Sequence, residues 1–208
     1  MAIDATRSLA HFIWVGDGNI PTLYQQCIDS FHRKHPYWTI KFWRQKDIDG
    51  IIATSPYKEN FNKYTSFINR YNFIKYHILA EEGGWFVDMD IQWHNYSIDS
   101  IYNDKLVGRS FPNVFVPVRT QPLAKVNHKS NDDMLIYASK GLFWDLLKYI
   151  WNREDIDPGL KYEPYGPISL SRWLHERQDI DRVYLYENEI QEQGFYCRHL
   201  NGQSWRFS

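Results

Sequence analysis

Asp88 and Asp90 are the side chains whose type and spacing most plainly suggest chemistry. They close the stretch Gly83-Gly-Trp-Phe-Val-Asp-Met-Asp-Ile91, in which an apolar run leads straight into two aspartates at i and i+2. On an extended strand successive side chains alternate faces, so both carboxylates are expected on one side. Two carboxylates that close repel each other and prefer a shared cation, and hard oxygen donors suit Mg²⁺ or Mn²⁺. An ion held there would in turn hold a diphosphate. The plainer reading is a strand running out into an acidic turn, because a bare Asp-x-Asp also arises by chance.

The segment upstream must position the pair. From Phe61 to Leu79 the apolar residues Phe61, Tyr64, Phe67, Ile68, Tyr71, Ile74, Ile78 and Leu79 fall at helical spacing, which predicts one long helix over 61–82. Gly83-Gly84 fits its C-terminus and a tight turn into a strand over 85–91. Lys75 lies inside the apolar stripe of that helix, between Tyr71 and Ile78, and Asn72 lies on its edge. A lysine so placed must snorkel out or find an anionic partner, since burying an unpaired ammonium is costly. The aspartates just downstream favour the anionic partner.

Elsewhere the patterns alternate. Residues 9–16 read as a strand, 22–34 as a helix and 38–43 as a strand. Segments 105–109 and 114–118 read as short strands, and Met134 to Trp151 as an amphipathic helix. Pro164 and Pro167 bracket a turn into a short helix at 168–176, and strands at Arg182–Tyr186 and Gly194–His199 close the chain. Strands alternating with helices predict an α/β layer fold with a mixed, mostly parallel central sheet. In such sheets ligands gather beyond the carboxyl ends of the strands, where Asp88 and Asp90 fall.

Length and composition bound the function. A chain of 208 residues can bury a good core, and with no repeat, low-complexity tract or long linker it reads as one domain spanning 1–208, either alone or as one domain of a longer protein. The net charge of −1 gives no basic field for nucleic acid or an anionic membrane. Apolar runs fall far short of a bilayer span and residues 1–10 lack a signal-peptide core, so a cytoplasmic location is expected. Two cysteines, Cys27 and Cys197, form neither a disulfide framework nor a zinc spacing. The aromatic share of 17% suits sugar-binding platforms, although most such residues pack in cores.

The chain resembles the Asp-x-Asp glycosyltransferases, a group that takes in mannosyltransferases, capsular sugar transferases and the catalytic domains of large clostridial glucosylating toxins. Leu9-Ala-His-Phe-Ile-Trp-Val-Gly16 with Ile20-Pro21 is similar to the family's opening strand. Cys27-Ile-Asp-Ser-Phe31 and His35-Pro-Tyr-Trp-Thr-Ile-Lys-Phe-Trp43 resemble its next helix and strand, and Phe67 to Ile91 its motif block. Gly166-Pro167 resembles a Gly-Pro element, and His199 with Ser204-Trp205 the closing segment. The resemblance implies the nucleotide-sugar transferase fold called GT-A. It also implies transfer of a hexosyl or deoxyhexosyl group from a nucleotide-diphosphate donor, UDP favoured over GDP, to a glycan or glycoprotein hydroxyl.

Residue by residue, the resemblance gives Ile13, Trp14 and Val15 to the nucleotide base. Trp14 either stacks on the base or packs in the core. Asn72 and Lys75 go to the ribose and sugar, and Asp88 to the ribose or, through water, to the metal. Asp90 becomes the preferred direct ligand of Mn²⁺ or Mg²⁺. His199 becomes a third metal ligand, against the alternative of a hydrogen-bonded strand histidine. Ser204 and the Trp205 indole become donors to the diphosphate, against that of an ordered tail. One departure stands out: the family's usual Ser-Asp-x-x-Arg reads Tyr71-Asn72-Phe-Ile-Lys75 here. The lysine keeps the charge but loses the bidentate guanidinium fork, leaving open a donor other than the usual hexose.

An inverting transfer needs a general base, and Asp132 or Asp133 is a candidate. Both stand just before the expected 134–151 helix, so capping and helix-dipole roles compete with catalysis. Two rival classes remain on the sequence alone. A haloacid-dehalogenase-type phosphohydrolase also places Asp-x-Asp after an apolar strand, with the first aspartate as nucleophile. Its motif normally lies near the N-terminus, unlike residue 88. A non-catalytic sugar-binding module would use the aromatics without needing paired carboxylates.

Overall fold

A six-stranded sheet with helices on both faces organises the chain. The computed structural model describes residues 5–15, 18–63, 66–94, 96–118, 134–153, 165–186 and 197–200, with the backbone alone at Asn60, Tyr102, Asp104 and His199. A short 3₁₀ turn at Ala5–Ser8 leads into β1 (Leu9–Ile13), α1 (Thr22–Lys34), β2 (Thr39–Trp43), α2 (Gln45–Thr54), α3 (Lys58–Lys63) and α4 (Phe67–Glu82). Then come β3 (Gly84–Val87), β4 (Ile91–Trp93), α5 (Ile98–Lys105), β5 (Val114–Val118), β6 (Leu135–Ala138), α6 (Leu142–Trp151), α7 (Pro167–Glu176), β7 (Arg182–Tyr186) and β8 (Cys197–His199).

The main sheet runs β2-β1-β3-β6-β5-β7. β1 pairs in parallel with both β2 and β3, and β5 with β7, while β6 is antiparallel to each of its neighbours. Five strands therefore point the same way and β6 alone is reversed. The pleat divides the core into two layers. Ile13, Phe86, Val114, Val116, Ile136 and Ala138 join the cluster packed by α4, α6 and α7. Ala10, Phe12, Trp85, Val87, Phe115, Leu135 and Tyr137 join the cluster packed by α1. β3, β5 and β6 are buried on both faces, which is why their sequence reads as unbroken apolar runs. Among the described residues no helix is long and apolar enough to cross a membrane.

The elements at 22–34, 114–118, 168–176 and 182–186 form close to where the spacing predicts, and β1 and β2 are slightly shorter than expected. Four expectations are corrected. The helix expected at 61–82 is two, α3 and α4, with Ser66 extended at the N-cap position of α4 and making no side-chain capping bond. Phe61 of α3 still packs on Phe73 of α4, with ring centroids 5.5 Å apart, so apolar spacing runs across the break. The strand expected at 105–109 is the end of α5 and a turn in which the Arg109 N–H bonds the Leu106 carbonyl at 2.9 Å.

The third correction is the helix expected over 134–151, which is β6 followed by α6. Leu135 to Ala138 are wholly buried, and a short buried run carries no period that separates strand from helix. Asp132 and Asp133 thus precede a strand, which removes the helix they were expected to cap. The fourth concerns the strand expected at 85–91, which stops at Val87. Asp88-Met89-Asp90 turns, the Ile91 N–H bonding the Asp88 carbonyl at 3.2 Å, and the chain leaves the main sheet to pair β4 with β8. The premise that both aspartates extend along one strand therefore fails.

Candidate functional site

The turn between α4 and β3 fixes how the strand that carries Asp88 begins. Gly83 ends α4 at φ 68° with its N–H on the Leu79 carbonyl at 3.0 Å, and Gly84 follows at φ 94°. Side chains are strained in that region, and space also forbids them. A Cβ at Gly83 would meet the Lys140 nitrogen at 2.7 Å, and one at Gly84 the Leu9 carbonyl at 2.8 Å. The buried His11 ring clasps the same turn, its Nε2–H donating to the Gly83 carbonyl at 2.7 Å while Nδ1 accepts the Trp43 indole N–H at 3.2 Å. The indole can only donate, which fixes the tautomer. Burial holds the His11 pKa down to about 4, so the ring is neutral at pH 7.

β3 then delivers Asp88 to the carboxyl edge of the sheet. The register pairs Ala10 with Trp85 and His11 with Phe86, so two steps further Ile13 stands level with Asp88. On the other side the Asp88 N–H bonds the Met134 carbonyl at 2.8 Å, extending the β3–β6 ladder by one residue. Asp88 continues the Phe86 side of the pleat, toward α4. There Lys75 Nζ lies 3.9 Å from Asp88 Oδ1, with the lysine side chain 2% exposed and the aspartate 24%. The ammonium also sits over the Phe86 ring, 4.5 Å from its centroid, and 5.6 Å from that of Tyr71. The lysine of the apolar stripe is thus buried beside an acid rather than snorkelling.

Asp90 belongs to the opposite layer. Its charge acts on Cys27 of α1, whose thiol is pushed up to about 11 chiefly by burial, with Asp90 adding to the effect. Its backbone is tied to the closing segment: the Leu200 N–H donates to the Asp90 carbonyl at 2.9 Å, and His199 pairs with Ile91 across β4 and β8. The turn is therefore held by β6 at Asp88 and by β8 at Asp90.

The remaining predicted residues distribute around this edge. Ile13 is buried, and Val15 is partly buried on the same layer. Trp14 alternates to the α1 side, its N–H on the Trp43 carbonyl at 3.0 Å and its indole N–H on the Gly18 carbonyl at 2.9 Å. Its ring packs beside Tyr24, with centroids 6.1 Å apart. Asn72 is buried rather than at an edge, and its amide donates to the Tyr165 carbonyl at 3.3 Å, directly before Gly166-Pro167. That bond joins the motif helix to the Gly-Pro element across 93 residues of sequence. Asp132, Asp133, Ser204 and Trp205 lie outside the described residues, as does the side chain of His199. Met134, the residue after Asp133, is at the site edge.

Sequence reasoning missed Tyr165, Met134 and Leu200, which act through backbone atoms that carry no residue signature. It also missed the His11–Gly83 clasp. Among the described residues no three His, Cys, Asp or Glu side chains gather into a metal-ready group. What the described turn offers is two partly exposed carboxylates, a donor set of the kind Mg²⁺ and Mn²⁺ prefer.

Comparison with known proteins fits this geometry. Residues 21–107 match the glycosyltransferase sugar-binding region containing a DXD motif. The fold is similar to that of the PaToxG glycosyltransferase, at 15% identity over 84% of this chain and 70% of that one, with a TM-score of 0.53. It is also similar to mouse xyloside xylosyltransferase 1, at 11% identity over 93% and 97% of the two chains, with a TM-score of 0.55. No curated protein matches the sequence. The architecture is that of a GT-A-type glycosyltransferase. The matched residues 21–107 run from the start of α1 to just past the end of α5 and take in the Asp88-Met89-Asp90 turn.

Proposed function

We propose that the chain transfers a sugar from a nucleotide-diphosphate donor, UDP-linked in the first instance, to a hydroxyl of a glycan or glycoprotein. The observation that carries this reading is the buried Lys75 ammonium 3.9 Å from Asp88 on the turn that also holds Asp90. That turn lies at the carboxyl edge of the sheet, where α/β folds bind nucleotides.

The roles follow from the electrostatics. Lys75 neutralises part of the Asp88 charge, and Asp90 is the proposed direct ligand for Mn²⁺ or Mg²⁺. Asp88 is left to bind through water or to hold a ribose hydroxyl, and His199, next to Leu200 on the closing strand, supplies the third ligand. When bound, the ion supplies Lewis-acid stabilisation of the charge that develops on the departing diphosphate. Lys75 adds a fixed positive charge in a poorly solvated setting, where it acts more strongly on a phosphate than in water. Ile13, Trp14 and Val15 border the pocket for the base, and Ser204 with Trp205 donate to the diphosphate. Asp132 or Asp133 takes the acceptor proton if the transfer inverts.

The test is release of UDP or GDP from a panel of nucleotide sugars, with Mn²⁺ and then with excess chelator. Chelator-sensitive release from one donor supports the reading. No release from any donor, with product also absent when glycan acceptors are supplied, overturns it.

A further inference from the structure

The amino edge of the sheet carries a cavity away from the Asp88 turn. It has a volume of about 400 Å³ and is lined by Arg7, Asn103, Leu106, Val107, Arg109 and Phe111. Arg7 lies in the 3₁₀ turn that feeds β1. Arg109 and Phe111 lie in the turn between α5 and β5. Since β1 and β5 run the same way, both approaches sit at the strands' starts, whereas Asp88 follows the end of β3. A strand of five residues spans roughly 15 Å, so the cavity and the Asp88 turn are separated by about the width of the sheet.

The chemistry of the lining is one-sided. Among the described residues it has two guanidinium groups and no carboxylate. The Arg7 guanidinium sits over Phe111, its Cζ 4.4 Å from the ring centroid, a cation–π contact that places its charge at the cavity. Arg109 is half-exposed and reaches Asp181 through one terminal nitrogen at 3.2 Å, which anchors it without taking its whole fork. Two such forks suit the paired oxygens of a carboxylate or phosphate. Asn103 adds an amide able to donate to and accept from hydroxyls. Leu106 and Val107, the latter 81% exposed, give an apolar wall. The volume is at the small end of the roughly 300–1,000 Å³ seen for small-molecule sites.

We propose that this cavity is an anion site for a sugar-sized ligand bearing one carboxylate or phosphate, gripped by Arg7 and Arg109 and independent of the donor site. The shared chemistry is an oxyanion on a hydroxylated ring. Whether it comes as a uronate or as a sugar phosphate is decided by the test.

The experiment is calorimetric titration of the whole protein with glucuronate, glucose 6-phosphate, inorganic phosphate and, as neutral control, glucose. The expected result is saturable binding of glucuronate or glucose 6-phosphate at least about tenfold tighter than glucose. It should weaken at least about tenfold in Arg109→Ala, weaken in Arg7→Lys and stay unchanged in Asp90→Ala. Arg109 is exposed and its pair with Asp181 adds little to stability, so that variant is expected to fold. No saturable binding of any anion, binding indifferent to Arg109→Ala, or binding lost in Asp90→Ala would each overturn the proposal. Inorganic phosphate binding as tightly as both sugar anions would overturn its sugar part.

Discussion

Lys75 and Asp88 come together from two elements, one from the middle of α4 and the other just past the end of β3. Their charged atoms stand 3.9 Å apart with the lysine side chain 2% exposed. An ammonium this buried needs an anion, while Asp88, 24% exposed, keeps a face toward solvent. The pair therefore presents a fixed positive charge at the edge of the site, on the turn that also carries Asp90.

Lys75→Met tests whether that charge serves the donor. The variant keeps most of the side-chain volume over Phe86 and Tyr71 while removing the ammonium. Donor affinity is expected to fall about tenfold or more, close to 1.4 kcal/mol, as measured by titration with the nucleotide sugar. A variant that alters only thermal stability would make Lys75 structural.

Asn72 is expected to be intolerant of an acid at its position. Its amide donates to the Tyr165 carbonyl from a site 4% exposed, so Asn72→Asp would set a carboxylate against a carbonyl with water excluded. A destabilisation of about 2–4 kcal/mol is expected in urea unfolding. Unchanged stability would show that the amide bond contributes little.

Asp132→Asn and Asp133→Asn separate the base from the bystander. β6, not a helix, follows them, so neither change should lower stability through a lost cap. The base variant is expected to lose at least about a hundredfold in turnover while keeping its donor affinity. Full turnover in both would point to a retaining mechanism or to a base elsewhere.

Acid should destabilise the fold through three buried histidines. His11, His35 and His77 are each held down to about 4 chiefly by burial, from an ordinary value of 6.5. The unfolded chain therefore binds more protons between those values, so stability is full above pH 6.5 and falls as the pH drops toward 4. At pH 5 the loss is about 2 kcal/mol for each ring. His77 is the cleanest probe, because among the described residues neither of its ring nitrogens has a hydrogen-bond partner, and its ring packs 4.8 Å from that of Trp144. His77→Phe is expected to flatten the pH profile by about a third in urea unfolding at pH 7.5, 6 and 5. An unchanged slope would contradict the account.

Much of this was legible in the sequence because local period and local charge suffice for it. α1, α7, the Gly-Gly turn and an acidic partner for Lys75 follow from spacing within about 20 residues. The two-sided burial of Leu135–Ala138 erased the period that would have marked β6 as a strand. The bend at Asp88 depends on β8 drawing Ile91 to Trp93 out of the sheet, over 100 residues further along. The role of Asn72 depends on Tyr165, whose contribution is a carbonyl that every residue has. Identity and short-range pattern do not encode such pairings.

The central claim is that Asp90 holds a divalent ion that binds the donor's diphosphate. Calorimetric titration with UDP and GDP, each with and without Mn²⁺, tests it most directly when repeated on Asp90→Ala. The account predicts manganese-dependent binding of one nucleotide, UDP first, weakened at least about a hundredfold in a variant that stays folded. Binding of equal strength with and without manganese, or with and without the Asp90 carboxylate, would contradict it.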